Sequence, residues 1–163
     1  MFFFREDVLK IKIISIGRVR QSFVKEGEAE FLRRLPPSCH LEFIEIDCDK
    51  FAKLPEAEKK KKEAQELFKK VDSGAWLVAL DGQGKQLSSE QFAGFIRERQ
   101  NSGNEALVFA IGGVHGWDKS ALQKARLSLS LSAMTFTHQM ARLFLVEQVY
   151  RAFSINEGLP YHK

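Results

Sequence analysis

The stretch LVFAIGGVHG, residues 107–116, reads as a strand that runs directly into a glycine turn. Its first five residues are all apolar, so the strand has no polar face and both of its sides must be covered, as in a parallel sheet packed between helices. Gly112 and Gly113 carry no Cβ, which lets the main chain at the strand's end approach a ligand closely. WLVAL at residues 76–80 repeats the buried pattern and is followed by a loop over 81–85. Further out, IKIISI at 11–16 ends at Gly17, while LEFIEI at 41–46 and LSLSL at 127–131 alternate as half-covered strands do.

Helical signals separate these strands. Phe23, Val24, Gly27, Phe31, Leu32 and Leu35 recur at three- and four-residue steps before Pro36 and Pro37 end the run. Pro55 opens a helix over 56–71, whose run Lys59 to Lys62 spreads around the cylinder and reads as a solvated face. Ser88 with Gln91 forms a capping box ahead of Phe92, Phe95 and Ile96, and that helix ends by Gly103. Asp118 caps a short helix, and a last one runs from near His138 to about Phe153. Five strands alternating with helices predict an α/β fold: a single domain with a mainly parallel sheet flanked by helices. Ligands bind such sheets beyond the carboxyl ends of the strands, at the loops near Asp81, Gly112 and Ser132. In the last helix Met140, Leu143, Phe144, Leu145, Val146, Val149, Tyr150 and Phe153 cover most of the circumference, so it is buried on more than one side and a second subunit is expected to supply one of them.

Composition narrows the class. With 163 residues, 44% of them hydrophobic, the chain can fill one core. Its 28% charged content leaves no apolar run near the ~18 residues that span a bilayer, so no membrane role is expected. A net charge of +4 suits a polyanionic partner. Cys39 and Cys48 lack a CxxC spacing and read as reduced thiols of a cytoplasmic protein. Residues 1–10 read as an N-terminal extension, and 11–163 as the domain.

Several chemistries are excluded by what is missing. Gly17 is followed by Arg18, Val19 and Arg20, not by a dinucleotide fingerprint, and Gln86 stands where a P-loop needs a hydroxyl. Ser128, Ser130 and Ser132 have no nucleophile elbow and read as an exposed strand face. His115, His138 and His162 lack metal-ligand spacing, so no metal is expected. The terminal segment 156–163 ends in Pro160, Tyr161, His162 and Lys163, which includes groups able to dock, stack on a base and exchange protons.

Gly112 and Gly113 after their strand, LSLSAMTFTHQMARLFLVEQVYRAFSI from Leu129 onward, and the terminal Tyr161 and His162 together resemble the RlmH-type large-subunit ribosomal RNA methyltransferases of the knotted SPOUT superfamily. The resemblance runs from IKIISIG to the last residue. It implies a C-terminal trefoil knot, a homodimer, and methyl transfer from S-adenosylmethionine to N3 of a pseudouridine in large-subunit RNA of the assembled ribosome. By matching position it implies a cofactor site at Leu80, Gly112, Leu131, Ser132, Ala133, Met134, Thr135 and Phe136. Arg151, Tyr161 and His162 match the RNA-facing catalytic positions, with His162 handling the proton and Arg151 orienting a phosphate or carbonyl oxygen. Arg151 also reads as an i,i+4 partner of Glu147. The alternatives left open are a non-catalytic RNA- or ribosome-binding module and a small-molecule methyltransferase.

Overall fold

The computed structural model describes residues 8–103 and 105–161. Five strands, β1 (Leu9–Ile16), β2 (Cys39–Ile46), β3 (Trp76–Gln86), β4 (Leu107–Ile111) and β5 (Leu127–Ser130), form one sheet in the order β2-β1-β4-β3-β5. Every neighbouring pair is parallel. The connecting helices are α1 (Ser22–Arg34), α2 (Glu56–Phe68), α3 (Ser89–Asn101) and α4 (Lys119–Leu122), and α5 (His138–Asn156) closes the chain. The predicted extension at residues 1–10 falls mostly on residues outside the described ones, and β1 begins at Leu9, which pairs with Cys39.

Period-two alternation in the central strands divides the core into two layers. Ile11, Ile13, Val78, Leu107 and Phe109 face Phe92 and Ile96 of α3 and Leu145, Val149 and Phe153 of α5. Ile14, Ile16, Leu77, Val108 and Ala110 face the other way, toward Leu67 of α2. No helix among the described residues is long and apolar enough to cross a membrane.

Three expectations are corrected here. The residues after Leu80 are not simply a loop: β3 continues to Gln86, and Leu80 and Lys85 both pair with Leu129 because the intervening residues bulge out of register. At Gly84 the bulge presses its backbone on β5, where an added Cβ would lie 2.6 Å from the Ser128 carbonyl. Val24 and Phe31 of α1 and Leu35 just after it pack inward as expected, but the charged Glu28 is buried beside them because a tertiary partner described below holds it, and Phe23 is exposed. Ser130 is buried and donates to the Ser132 carbonyl at 2.9 Å, so this serine belongs to the interior.

The last helix is covered on several sides by its own chain. It packs on β1 and β4 between α1 and α3, and Gly27 admits Leu143 so closely that an added Cβ would meet its Cδ1 at 2.8 Å. Much of the burial assigned from the sequence to a second subunit is thus supplied within one subunit. Phe144 remains exposed and stacks on Phe136 with ring centres 4.9 Å apart. The capping box at Ser88 and Gln91 forms as expected.

Candidate active site

The carboxyl ends of β3, β4 and β5 open into a cleft of about 910 Å³. Leu80 and the β3 bulge form one wall, Ile111, Gly112 and Gly113 the floor, and residues 131–137 the other wall. The eight positions singled out for a cofactor, Leu80, Gly112, Leu131, Ser132, Ala133, Met134, Thr135 and Phe136, all line it. Local hydrogen bonds shape the second wall. The Ser132 hydroxyl accepts from the Met134 amide at 3.0 Å, and Thr137 caps α5 by accepting from the Met140 amide at 3.2 Å. Met134 and Phe136 line the cleft yet are exposed, while Leu131 is half-buried at it.

The floor is tighter than glycine chemistry alone foretells. Trp117 donates its indole N–H to the Leu80 carbonyl at 2.7 Å, and a Cβ on Gly112 would sit 3.1 Å from the same ring. A Cβ on Gly113 would meet the Glu63 carboxylate at 2.9 Å. Glu63 is buried, and that burial raises its carboxyl above the usual range against the opposing charges of Lys59 and His115. Burial also pushes the Cys39 thiol to about 12 and Cys48 to about 11, so neither free cysteine is a thiolate at neutral pH.

Where α5 begins, His138, Gln139 and Ala141 complete the cleft wall. His138 lies against Gly17, and its Nε2 is buried without a hydrogen-bond partner among the described residues. Gln139 accepts from the Arg20 and Gln21 amides at 2.8 and 3.0 Å. One turn on, buried Arg142 grips Glu28 through Nε at 2.5 Å and Nη2 at 2.7 Å, reaches Glu45 at 2.9 Å, and lies over the Phe43 ring at 4.3 Å. Sequence reasoning missed Trp117, Gln139 and Arg142. The one available signal was Glu28, a carboxylate on the inward face of an amphipathic helix, which requires a buried cation.

The positions expected to face the substrate lie elsewhere in the chain. Arg151 pairs with Glu147 at 2.6 Å and lies over the Tyr161 ring at 4.7 Å, and Tyr161 packs edge-on against Tyr150. From His138 to Arg151 the helix advances roughly 20 Å, so the cleft and this cluster stand at opposite ends of α5. His162 lies outside the described residues. Among those described, no three His, Cys, Asp or Glu side chains are grouped to hold a metal.

Residues 9–162 match a family model described as "Predicted SPOUT methyltransferase". The chain is 43% identical over 159 residues to a protein of Carboxydothermus hydrogenoformans named ribosomal RNA large subunit methyltransferase H, covering 95% of this chain and all of that one. A protein of the same name from Acetivibrio thermocellus is 42% identical, also covering 95% of this chain and all of its own. Among solved structures, a probable methyltransferase from Bordetella pertussis superposes with a TM-score of 0.56 at 10% identity, over 90% of this chain and 97% of that one, a likeness of fold.

Proposed function

The chain belongs to the SPOUT methyltransferase family, and from that premise we propose that it methylates large-subunit ribosomal RNA with S-adenosylmethionine as donor. The observation that carries this reading is the convergence of Leu80, Gly112 and residues 131–136 on one cleft at the carboxyl ends of three parallel strands. Its volume lies within the range of small-molecule sites. Apolar Ile111, Leu129 and Leu131 suit a purine, and the main chain of 132–135 can read the edge of the base.

When bound, S-adenosylmethionine supplies a methyl group already activated on a sulfonium, so alignment is the enzyme's main task. The walls on either side of the glycine floor would hold the donor in one orientation. The acceptor, N3 of a pseudouridine, carries a proton that must leave as the new bond forms, and His162 takes that role with Arg151 and Tyr161 orienting the base.

These groups serve the cleft as part of a homodimer, in which the tail of one copy reaches the cleft of the other. The length of α5 between cleft and tail supports this, as do the exposed Phe23, Phe136 and Phe144. A trefoil knot is supported by the path of the chain: after β5 at the sheet edge it returns past the ends of β3 and β4 to dock α5 on β1 and β4. The substrate is the assembled ribosome in the cytoplasm.

Incubation with methyl-labelled S-adenosylmethionine and ribosomes from cells lacking the modification tests the reading. Label should enter the large-subunit RNA. Donor binding without labelled RNA would favour a small-molecule acceptor, and failure to bind the donor would leave a non-catalytic RNA-binding module.

A further inference from the structure

The β1–α1 loop, residues 17–21, leaves the carboxyl end of β1 beside the glycine turn of β4, at the end of the sheet where the cleft opens. Four of its five amides are held. The Gly17 amide donates to the Ile46 carbonyl at 2.9 Å, the Val19 amide to Glu45 at 3.1 Å, and the Arg20 and Gln21 amides to the Gln139 side chain. Val19 is buried and anchors the centre. A loop this firmly fixed would be unremarkable if its side chains were neutral, yet those on either side of Val19 are Arg18 and Arg20, both exposed.

The two arginines differ. Arg18 is paired with Asp47 at 2.7 Å. Arg20 has no ion pair or side-chain hydrogen bond among the described residues, although its main chain is bonded to Gln139, which lines the cleft. Asp47 attracts Arg20 only at longer range, and a guanidinium without a hydrogen-bond partner among the described residues, on a fixed loop beside the cleft, offers planar, paired donors whose entropy cost on binding an oxyanion is already reduced. Nucleic acids present such oxyanions at every nucleotide, and phosphate contacts are what set the register of a base in an enzyme's site.

On the reading that RNA is the substrate, we propose that Arg20, seconded by Arg18, grips a phosphodiester next to the reacting nucleotide and sets its register against the cofactor wall. Gln139 links the two functions, because the same side chain borders the cleft and holds the Arg20 backbone. The loop is thus a positioning element for RNA, separate from the donor site.

The test compares Arg20→Ser with wild type, with Arg20→Lys, and with Lys70→Ser, an exposed lysine between α2 and β3, toward the amino ends of the strands. Methyl transfer to ribosomes is measured across a range of salt concentrations, and donor affinity by calorimetry. Arg20→Ser should raise KM for ribosomes about tenfold, as expected for one charge-assisted contact, and lower the slope of log KM against log salt by about 0.7 to 0.9. Donor affinity should stay as in wild type, Arg20→Lys should recover part of the loss, and Lys70→Ser should change neither KM nor slope. An unchanged KM and slope in Arg20→Ser overturns the inference alone, as does a parallel loss of donor affinity. A wild-type protein that shows no salt-dependent transfer to RNA overturns the underlying reading as well.

Discussion

Trp117 and Leu80 come from different strand-to-helix connections, yet the indole N–H of one donates to the carbonyl oxygen of the other at 2.7 Å, tying the end of β3 to the turn after β4. Gly112 is the residue that lets the ring lie there, since an added Cβ would approach it to 3.1 Å. Gly112→Val should therefore displace the indole, cost about 1–3 kcal/mol of stability through overpacking, and abolish donor binding. Trp117→Phe removes the N–H and shrinks the indole to a phenyl ring, which leaves the Leu80 carbonyl without its donor and a gap beside Gly112, so a loss of about 1–3 kcal/mol is expected. Chemical denaturation and calorimetry check both, and a Gly112→Val protein that binds donor normally would mean that the site lies elsewhere.

Buried Arg142 holds two carboxylates, the buried Glu28 of α1 and the more exposed Glu45 of β2. Replacing it with Met strands Glu28 in the core, so the expected loss is about 3–5 kcal/mol. Adding Glu28→Leu to that variant should restore part of the stability, because the uncompensated buried charge is removed. Urea denaturation of the two single variants and the double variant measures the coupling.

Glu63 gives a pH signature with a definite sign. Its folded-state carboxyl is raised above the usual carboxylate range, chiefly by burial. The native state therefore holds the proton more tightly than the unfolded chain, and stability falls as pH rises from the unfolded value through the folded one. Glu63→Gln, uncharged throughout, should melt above wild type at neutral pH, with the difference shrinking as pH falls toward 4.5. A difference independent of pH would contradict the assignment.

Gly84 presses against the carbonyl of Ser128 in the neighbouring strand. Gly84→Ala should cost ~1–3 kcal/mol and loosen the bulge that lines the cleft, visible as faster amide exchange in β5. Gly82, with nothing within 4 Å of an added Cβ, is the matched control and should accept Ala with little change.

Tyr161 packs on Tyr150 and Arg151, with its hydroxyl 3.4 Å from Glu147. Tyr161→Ala should lower stability by ~1 kcal/mol through loss of the aromatic pair. Tyr161→Phe keeps the ring, so its melting temperature should match wild type. If the hydroxyl meets the substrate, methyl transfer falls in Tyr161→Phe while donor affinity holds; unchanged turnover would give the residue a packing role alone.

What could be read in the sequence was local or strongly patterned. Leu107 to Ile111 declared a strand covered on both faces, and Ser88 with Gln91 declared a helix start, because each signal lies within a few residues. The bulge in β3 was not legible, since it exists only where β5 pairs on both sides of the excursion. Glu28 broke the amphipathic pattern for a partner 114 positions away, a distance over which no periodicity reports. For the cleft, Gly112 could be found from its place after a buried strand, and the 131–136 wall from its likeness to a family. Trp117 and Gln139 could not, because their importance lies in which distant backbone they hold.

The placement of α5 also governs how the molecule comes into being. Phe92, Ile13 and Phe109 lie in the layer that this last helix covers with Leu145, Val149 and Phe153. The central pairing joins Ile11 to Leu107, so the sheet forms by closing very long loops, which is slow. A chain still emerging from synthesis can thus assemble its strands but cannot bury this face fully until α5 has been made. During that interval it presents a broad apolar surface, the kind of species that holding chaperones recognise. Cooperative folding therefore waits for α5, and shortening that helix would harm folding yield in the cell out of proportion to the residues removed.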